Sequence, residues 1–363
     1  MNVYVGATRQ NDGKTIVSVG LIATLIKRIN KIGYIKPVGQ HCIDIDSCMI
    51  DEDSILMQQI FNIDCRLSDM SPIAVPKGFT EAYIENPDRN SLVERITTAY
   101  NNCARDRDFV LIEGTGHAGV GSVFDMSNAE VAKLLDAKVI LVCAGGVGRP
   151  IDEVMLNRAL FDSLGVEILG VIVNKIQPDK YEKIAPVVTK GMVRKGLDVL
   201  GVMPYLPILS NPTIGQLLEE TKGELLGGSD RLNTMVKRTI VGAMPTQEAL
   251  KYFDKGTLLI TPGSRDDLIL AALTSYAADK NERALVAGLV LTGLDLPSKR
   301  VLDLIESANV PVIGLREDTF TVATRISSLM VKLRARDQEK ILAAEDLVSQ
   351  YVNIDRILDK LSA

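Results

Sequence analysis

A glycine–lysine–threonine triplet near the start of the chain constrains the fold more than any other feature. The triplet Gly13-Lys14-Thr15 follows a short β-rich run, Val3 to Val5, and precedes an apolar helical run, Ile16 to Ile26. Strand, polar loop, Gly-Lys-Thr and helix are the order that a phosphate-binding loop requires. Backbone N–H groups and the helix N-terminus meet phosphate oxygens, the lysine adds a charge, and the threonine hydroxyl reaches Mg²⁺.

The loop departs from the usual pattern at one position. The pattern places a glycine where this chain has Thr8, and the nearest glycine, Gly6, lies further back. The alternative interpretation is a triplet that serves only as turn chemistry at the start of a helix. We favour phosphate binding because the flanking strand and helix fit it. The loop residues expected to contact nucleotide are Thr8, Asn11, Asp12, Gly13, Lys14 and Thr15.

The composition is typical of a soluble, cytoplasmic protein. With 363 residues, the chain exceeds the size at which a single core keeps growing, so two domains are expected. Its hydrophobic content is 46% and its charged content 24%, as in globular proteins. A net charge of −5 without a basic tract argues against nucleic acid as a partner. No signal peptide or membrane-spanning run is evident, so no membrane partner is expected.

Cysteine and histidine usage argues against several kinds of site. The five cysteines form no C-x-x-C pair, so a disulfide framework and a zinc site are both unexpected and a reducing cytoplasm fits. His41 and His117 are the only histidines, which argues against a multi-histidine metal site. We interpret both as polar side chains near a loop rather than as catalytic bases.

Short β-branched runs alternate with helical patterns along the first part of the chain. This alternation predicts an α/β fold, a P-loop NTPase-type mostly parallel sheet with helices on both faces, followed by a second smaller α/β domain. We place the first domain at residues 1–221, a glycine-rich linker at 222–237 and the second domain, which lacks a phosphate loop, at 238–363. Ligands of such sheets lie at the carboxyl ends of the strands. The polar segments expected there are Gly6–Thr15, Lys36–Gln40, Glu113–His117, Gly145–Pro150 and Asn174-Lys175.

Three further polar residues stand where nucleotide chemistry would need them. Lys36 ends a predicted strand just before a proline, where it could reach a phosphate; the alternative is a solvated edge lysine. Asp53 lies in the segment Asp51-Glu52-Asp53-Ser54, which begins a helical run, and a plain helix cap is the alternative. Glu113 and Gly114 end a buried strand, and a buried carboxylate needs a partner such as Mg²⁺.

Together these segments resemble the dethiobiotin synthetase and cobyrinic acid a,c-diamide synthase group of P-loop enzymes. The resemblance runs through the phosphate loop, Lys36-Pro37-Val38, Asp53, Glu113-Gly114, Asn174 and Gly201-Val202-Met203-Pro204. It implies ATP and Mg²⁺ as cofactors. Lys14 and Lys36 would be catalytic and stabilise the transferred phosphoryl group, and Asn174 would contact the adenine base. Mg²⁺ would be held by Thr15, Asp53 and Glu113.

The segment from Glu113 to Asn128 resembles more closely the dethiobiotin-synthetase-like N-terminal domain of long phosphate acetyltransferases. From about Arg238, the chain resembles the DRTGG domain that follows there, although the namesake motif is eroded around Arg265 and Gly293. The sequence lacks the acetyltransferase catalytic domain and the glutamine amidotransferase domain of the cobyrinate enzymes. We therefore expect no acetyl transfer.

Two functions of different classes remain open. One is an ATP-dependent ligase or ATPase that activates a carboxylate or carbamate by phosphorylation, with a small-molecule acid or amine as second substrate. The other is a nucleotide-sensing regulatory module, linked to acyl-phosphate metabolism, with little or no turnover. A cargo-partitioning ATPase is less favoured because no membrane-binding amphipathic tail is evident. The resemblance also favours a homodimer.

In the second domain, Arg265 or Arg316 could bind a small anion. The alternative, which we favour, is a capped helix start at Ser264 and a salt-bridged loop at Arg316.

Overall fold

The computed structural model describes residues 1–277, 286–294, 297–329 and 331–363. The chain forms two compact units. The first contains Met1–Leu206 together with Leu333–Ala363, and the second contains Pro207–Lys332. In the described ranges, no helix combines the length and hydrophobicity that a membrane span requires.

A six-stranded sheet, parallel throughout, forms the centre of the first unit. Five of its strands have buried residues at most positions, which requires cover on both faces and explains their β-branched and apolar composition. The predicted parallel sheet is confirmed. From edge to edge the strands are Val199–Pro204, Ile168–Ile176, Lys138–Ala144, Asn2–Ala7, Phe109–Glu113 and Ile32–Ile35.

Helices and two small sheets surround this sheet. One small sheet is parallel and pairs Val38–Gly39 with Ile73–Ala74, and the other is the hairpin of Cys42–Ile45 and Cys48–Asp51. The helices are Lys14–Leu25, Glu52–Phe61, Leu67–Met70, Phe79–Glu85, Arg89–Ala104, Asn128–Leu134, Gly148–Ser163, Tyr181–Arg194, Gln338–Tyr351 and Ile354–Ser362, with 3-10 turns at Ser122–Phe124 and Pro178–Lys180.

The last two helices differ from the predicted division of the chain. The prediction placed them in the second domain, 238–363, whereas the structure packs Gln338–Tyr351 and Ile354–Ser362 on the first unit. The reason is a close helix pair. A Cβ on Gly20, in the phosphate-loop helix, would lie 2.4 Å from Val348 Cγ2, so only glycine permits this approach.

The second unit has its own five-stranded sheet, in which one edge strand is antiparallel and the other strands are parallel. In spatial order the strands are Glu224–Gly227, Val312–Leu315, Val286–Thr292, Thr257–Pro262 and Arg238–Val241. The helices of this unit are Pro207–Ser210, Ile214–Thr221, Thr246–Ala249, Asp266–Ala277, Lys299–Ala308 and Thr319–Ser327, with 3-10 turns at Ser229–Arg231 and Leu250–Tyr252.

The antiparallel edge strand occupies part of the predicted linker, 222–237. Its glycines mark close packing rather than a flexible connection. A Cβ on Gly227 would lie 2.7 Å from Ile305 Cγ2, and one on Gly228, whose φ is +72°, would lie 2.3 Å from the Pro311 nitrogen. Glycine-rich composition alone does not distinguish these two situations.

Cys65 and Cys103 form a disulfide bond, with their Cα atoms 5.7 Å apart. The bond joins the segment after the helix Glu52–Phe61 to the end of the helix Arg89–Ala104. The expectation that the cysteines would not pair was therefore wrong for these two. Their separation of 38 residues, with no C-x-x-C signature, left nothing local to indicate the pairing.

Reduction of this disulfide should lower the stability of the first unit. Cross-linking residues 38 apart restricts the unfolded chain, an effect of about 4 kcal/mol in the chain-entropy model. Urea unfolding with and without a thiol reductant measures the difference, and peptide mass spectrometry of the non-reduced protein identifies the Cys65–Cys103 peptide pair. Cys103→Ser should match the reduced protein. Equal unfolding midpoints for the oxidised and reduced proteins would contradict this expectation.

Candidate active site

The phosphate loop has the backbone of an anion-binding turn. The first strand ends at Ala7 and the helix begins at Lys14, directly after Gly13. Asn11 and Gly13 both have positive φ, +69° and +100°. A Cβ on Gly13 would lie 2.2 Å from Asn174 Nδ2, so a larger residue would displace that side chain. The loop therefore wraps the N-terminus of a 12-residue helix.

Thr8, which replaces the usual glycine, has a structural role within the loop. Its hydroxyl donates to Asp12 Oδ2 at 2.6 Å, and the same oxygen accepts the Arg9 backbone N–H at 2.8 Å. Burial raises the pKa of Asp12, and the Thr8 hydrogen bond opposes that rise. At the position where the motif has a glycine, the Thr8 side chain is thus hydrogen-bonded to Asp12 across the loop.

Asn174 and Lys175, at the end of a neighbouring strand, hold the same loop from the other side. Asn174 Nδ2 donates to the Asp12 carbonyl at 2.9 Å, and Lys175 Nζ donates to the Asn11 carbonyl at 2.6 Å. Asn174 Oδ1 accepts the Lys175 backbone N–H. Asn174 therefore lies against the loop, and its expected contact with an adenine base stays a prediction.

Lys14, Thr15 and Glu113 come together at the carboxyl edge of the sheet. The Thr15 hydroxyl donates to Glu113 Oε1 at 2.9 Å, and Lys14 Nζ donates to the Gly116 carbonyl at 3.2 Å. Burial lowers the pKa of Lys14, with Glu113 acting in the opposite direction. Burial and the nearby charge of Asp53 raise the pKa of Glu113 to about 7, although Lys36 and Lys14 favour its ionised form. Burial thus disfavours the ionised form of Glu113, and a positive charge nearby would stabilise it.

Lys36 lies between two carboxylates at the next strand end. Its ammonium is 2.9 Å from Asp51 Oδ1 and also donates to Asp53 Oδ2. Burial lowers the pKa of Lys36, but Asp53, Asp51 and Glu113 together raise it above its usual value, so the side chain is charged. Pro37 explains its position, since the strand Ile32–Ile35 ends just before it and Val38–Gly39 pairs in a different sheet.

The donor set fits Mg²⁺ bound mainly by water and phosphate. Thr15 and Glu113 offer a hydroxyl and a carboxylate, and Mg²⁺ commonly takes only one or two protein ligands beside substrate phosphates. In the part of the chain that is described, no three His, Cys, Asp or Glu side chains cluster as a metal site. Asp53, the third expected ligand, is paired with Lys36. When bound, the ion would neutralise charge on the phosphates.

Three buried residues of this site are not among the site residues that the sequence predicts. Asp51 is fully buried, pairs with Lys36 and caps the helix that begins at Glu52 by accepting the Asp53 N–H at 3.0 Å. Asn128 and Asn157 bond the backbone of residues 115–118, the segment after Glu113. A capping pattern marks Asp51 in the sequence. The two asparagines lie in ordinary helices and carry no local signal.

The remaining predicted residues occupy supporting positions. Gly114 is packed against Tyr4, whose ring a Cβ would approach to 2.8 Å. His41 and His117 are both exposed, and His117 Nδ1 accepts the Gly119 N–H.

In the second unit, Arg265 is engaged by its own protein. Its guanidinium donates to both carboxylate oxygens of Asp267 at 2.8 Å and to the Met244 carbonyl at 3.2 Å. Arg265 is therefore engaged in an ion pair within its own unit, and binding of an anion by this arginine stays a prediction.

Comparison with known proteins agrees with this architecture. A family described as an AAA domain matches residues 1–213, and the DRTGG domain matches residues 216–329. The chain is 26% identical to the phosphate acetyltransferase of Nitratidesulfovibrio vulgaris over 99% of its own length and 51% of that protein. It is also 26% identical to the phosphate acetyltransferase of Synechocystis sp., over 99% of its length and 52% of that protein. The chain thus spans about half the length of these curated relatives.

Among solved structures, the MinC:MinD cell division protein complex of Aquifex aeolicus is matched over 57% of this chain and 83% of that chain. The identity is 16% and the TM-score 0.38, and this likeness carries no inference about function. The resemblance to the N-terminal part of long phosphate acetyltransferases is confirmed by the two matched domains and their order. The chain belongs to the AAA-domain family through a P-loop unit that is followed by a DRTGG domain.

Proposed function

We propose that the first unit binds Mg·ATP at the phosphate loop. The observation that carries this proposal is the meeting of Lys14, Thr15 and Glu113 at the N-terminus of one helix, with Thr15 and Glu113 joined at 2.9 Å. An ammonium and a helix N-terminus suit phosphate oxygens, while a hydroxyl and a carboxylate suit Mg²⁺. Isothermal titration of the whole chain with ATP, in the presence of Mg²⁺ and then of EDTA, tests the proposal.

Of the two roles left open, regulation by the bound nucleotide is the better supported. Lys36 is expected to stabilise a transferred phosphoryl group, but its positive charge is paired with Asp51 and Asp53. The curated relatives are phosphate acetyltransferases, and this chain matches about half of each of them. We therefore propose a nucleotide-sensing module linked to acyl-phosphate metabolism, in which the DRTGG unit or a partner responds to Mg·ATP.

Ligase-type turnover is the second candidate, and one observation favours it. Lys14 follows the strand Asn2–Ala7 and Lys36 follows the strand Ile32–Ile35, and these strands flank Phe109–Glu113, so both lysines lie at the same sheet edge. Two such lysines could balance charge on a moving phosphoryl group. Phosphate release from Mg·ATP, measured alone and with a panel of diamines and dicarboxylic acids, separates the two roles. Release that depends on one acid or amine selects the ligase, and binding without release selects the sensor.

Glu113→Gln should weaken nucleotide binding only when Mg²⁺ is present. The substitution keeps the shape and an acceptor for the Thr15 hydroxyl but removes the charge that would hold the ion. We expect the Mg²⁺-dependent gain in ATP affinity to fall about tenfold, while binding in EDTA is unchanged. Glu130→Gln, which alters a capping box on the helix Asn128–Leu134, is the matched control. Equal losses with and without Mg²⁺ would remove the metal role.

We also propose that the chain forms a homodimer, the commonest symmetric assembly. Light scattering of the whole chain at micromolar concentration tests this. A monomer with and without Mg·ATP would end the proposal.

A further inference from the structure

One buried side chain joins the phosphate loop to the segment that follows Glu113. Asn157, on the helix Gly148–Ser163, is 6% exposed. Its Oδ1 accepts the Ala118 backbone N–H at 2.8 Å. Its Nδ2 donates to the Thr8 carbonyl at 3.2 Å and to the Glu153 carbonyl of its own helix at 2.8 Å. A single carboxamide therefore links three separate parts of the chain.

The two loops that Asn157 joins carry the charged groups of the site. Thr8 opens the phosphate loop that leads to Lys14. Ala118 belongs to residues 114–118, which follow Glu113 and include Gly116, whose carbonyl accepts Lys14 Nζ. The spacing of these loops sets how Lys14 and Glu113 face a common ligand. Asn157 fixes that spacing through the backbone of the two loops, at Thr8 and Ala118.

Asn128 fixes the other side of residues 114–118. Its Oδ1 accepts the Tyr4 hydroxyl at 2.6 Å and the Thr115 N–H at 2.9 Å. Its Nδ2 donates to the Thr115 carbonyl at 2.6 Å and to the His117 carbonyl at 2.5 Å. Asn128 thus shapes this segment against the first strand, whereas Asn157 ties it to the phosphate loop.

The chemistry requires both ends of the asparagine amide. The Ala118 N–H needs an acceptor and the Thr8 carbonyl needs a donor, and a buried group left without its partner is costly. Aspartate would supply only the acceptor, and leucine would supply neither. The same helix face makes a second contact with the phosphate loop. Glu153, one turn earlier than Asn157, forms an ion pair with Arg9 at 3.0 Å.

We propose that Asn157 is a positioning residue that couples the phosphate loop to residues 114–118, so that a nucleotide ordering the first also orders the second. The expected ordering of both loops by nucleotide rests on the proposed function. The coupling itself is a property of the protein without ligand, and it can be measured separately.

Hydrogen exchange of the whole chain, with and without Mg·ATP, tests the coupling in three variants. Asn157→Leu removes the hydrogen bonds to both loops as well as the bond to Glu153, and Asn157→Asp keeps an acceptor for Ala118 but loses the donor to Thr8. Val154→Ala is the control, because Val154 is fully buried on the same helix and its loss destabilises the unit without a polar contact to either loop. Thermal unfolding of each variant allows comparison at matched stability.

Without nucleotide, Asn157→Leu should speed exchange of the Ala118 amide about tenfold relative to Val154→Ala, and Asn157→Asp should restore most of that protection. With Mg·ATP, the wild type and Val154→Ala should gain protection in both loops. Asn157→Leu should gain it in the phosphate loop only.

Two results would overturn the proposal. One is Ala118 exchange in Asn157→Leu equal to that in Val154→Ala. The other is protection of residues 114–118 by Mg·ATP in Asn157→Leu as strong as in the wild type. If Mg·ATP protects neither loop of the wild type, the proposed nucleotide function fails, and the comparison without ligand alone supports or overturns the positioning role.

Discussion

Replacing Lys14 with alanine should weaken binding of ATP by about 30- to 150-fold. The ammonium stands at the N-terminus of the phosphate-loop helix, and it already donates to one backbone carbonyl, that of Gly116. A charged hydrogen bond to phosphate is worth roughly 2–3 kcal/mol, and each 1.4 kcal/mol corresponds to a factor of ten. Isothermal titration with Mg·ATP measures the loss.

Lys27→Ala is the matched control for this experiment. It removes the same charge just beyond the end of the same helix, where the side chain is 68% exposed and pairs with Glu345. The control should bind ATP as the wild type does, and both variants should unfold at similar temperatures. Unchanged affinity in Lys14→Ala would show that the Gly13-Lys14-Thr15 triplet is only a helix start.

The parts of the fold predicted from the sequence are those with local signals. Strand, loop and helix around Lys14 follow one another in the chain, so their spacing identifies them. The parallel sheet follows from alternating buried strands and helices, and it is confirmed.

Long-range partners explain what the sequence prediction missed. The contact between Asn157 and Thr8 spans 149 residues, and a helical asparagine is equally compatible with exposure or burial. Lys36 was predicted as a phosphate ligand because of its strand end, but its pairing with Asp51 depends on the hairpin Cys42–Asp51 folding back. Sequence periodicity reports which face of a helix is apolar, and it does not report what covers that face.

That ambiguity matters most for the C-terminal helices. Their apolar face is buried on the first unit, and the prediction placed them in the second. The closest approach, at Gly20, permits only a hydrogen in place of a side chain, which a sequence read without its partner helix does not reveal. The buried apolar side chains of these helices, and of Val352 between them, are Ile341, Ala344, Leu347, Val348, Val352, Ile354 and Ile357.

Removal of residues 333–363 should therefore unfold the first unit and leave the second folded. Each buried apolar side chain contributes about 1.5–3 kcal/mol, so the loss is on the order of 10 kcal/mol, similar to the whole stability of a typical domain. Two ion pairs would also be lost, because Arg356 and Lys360 both pair with Asp198, just before the strand Val199–Pro204. A fragment of residues 1–332 should lose the helical circular dichroism of the first unit or aggregate.

Fragment 207–332 is the control, since it holds two apolar clusters of its own and should show a cooperative transition by itself. Addition of a separate peptide of residues 333–363 to fragment 1–332 should restore part of the lost structure, because the peptide supplies again the helix that packs against Gly20. ATP binding should return together with the circular dichroism, since Lys14 begins the helix that this peptide covers. If fragment 1–332 melts as the whole chain does, the C-terminal helices are not part of the first unit's core.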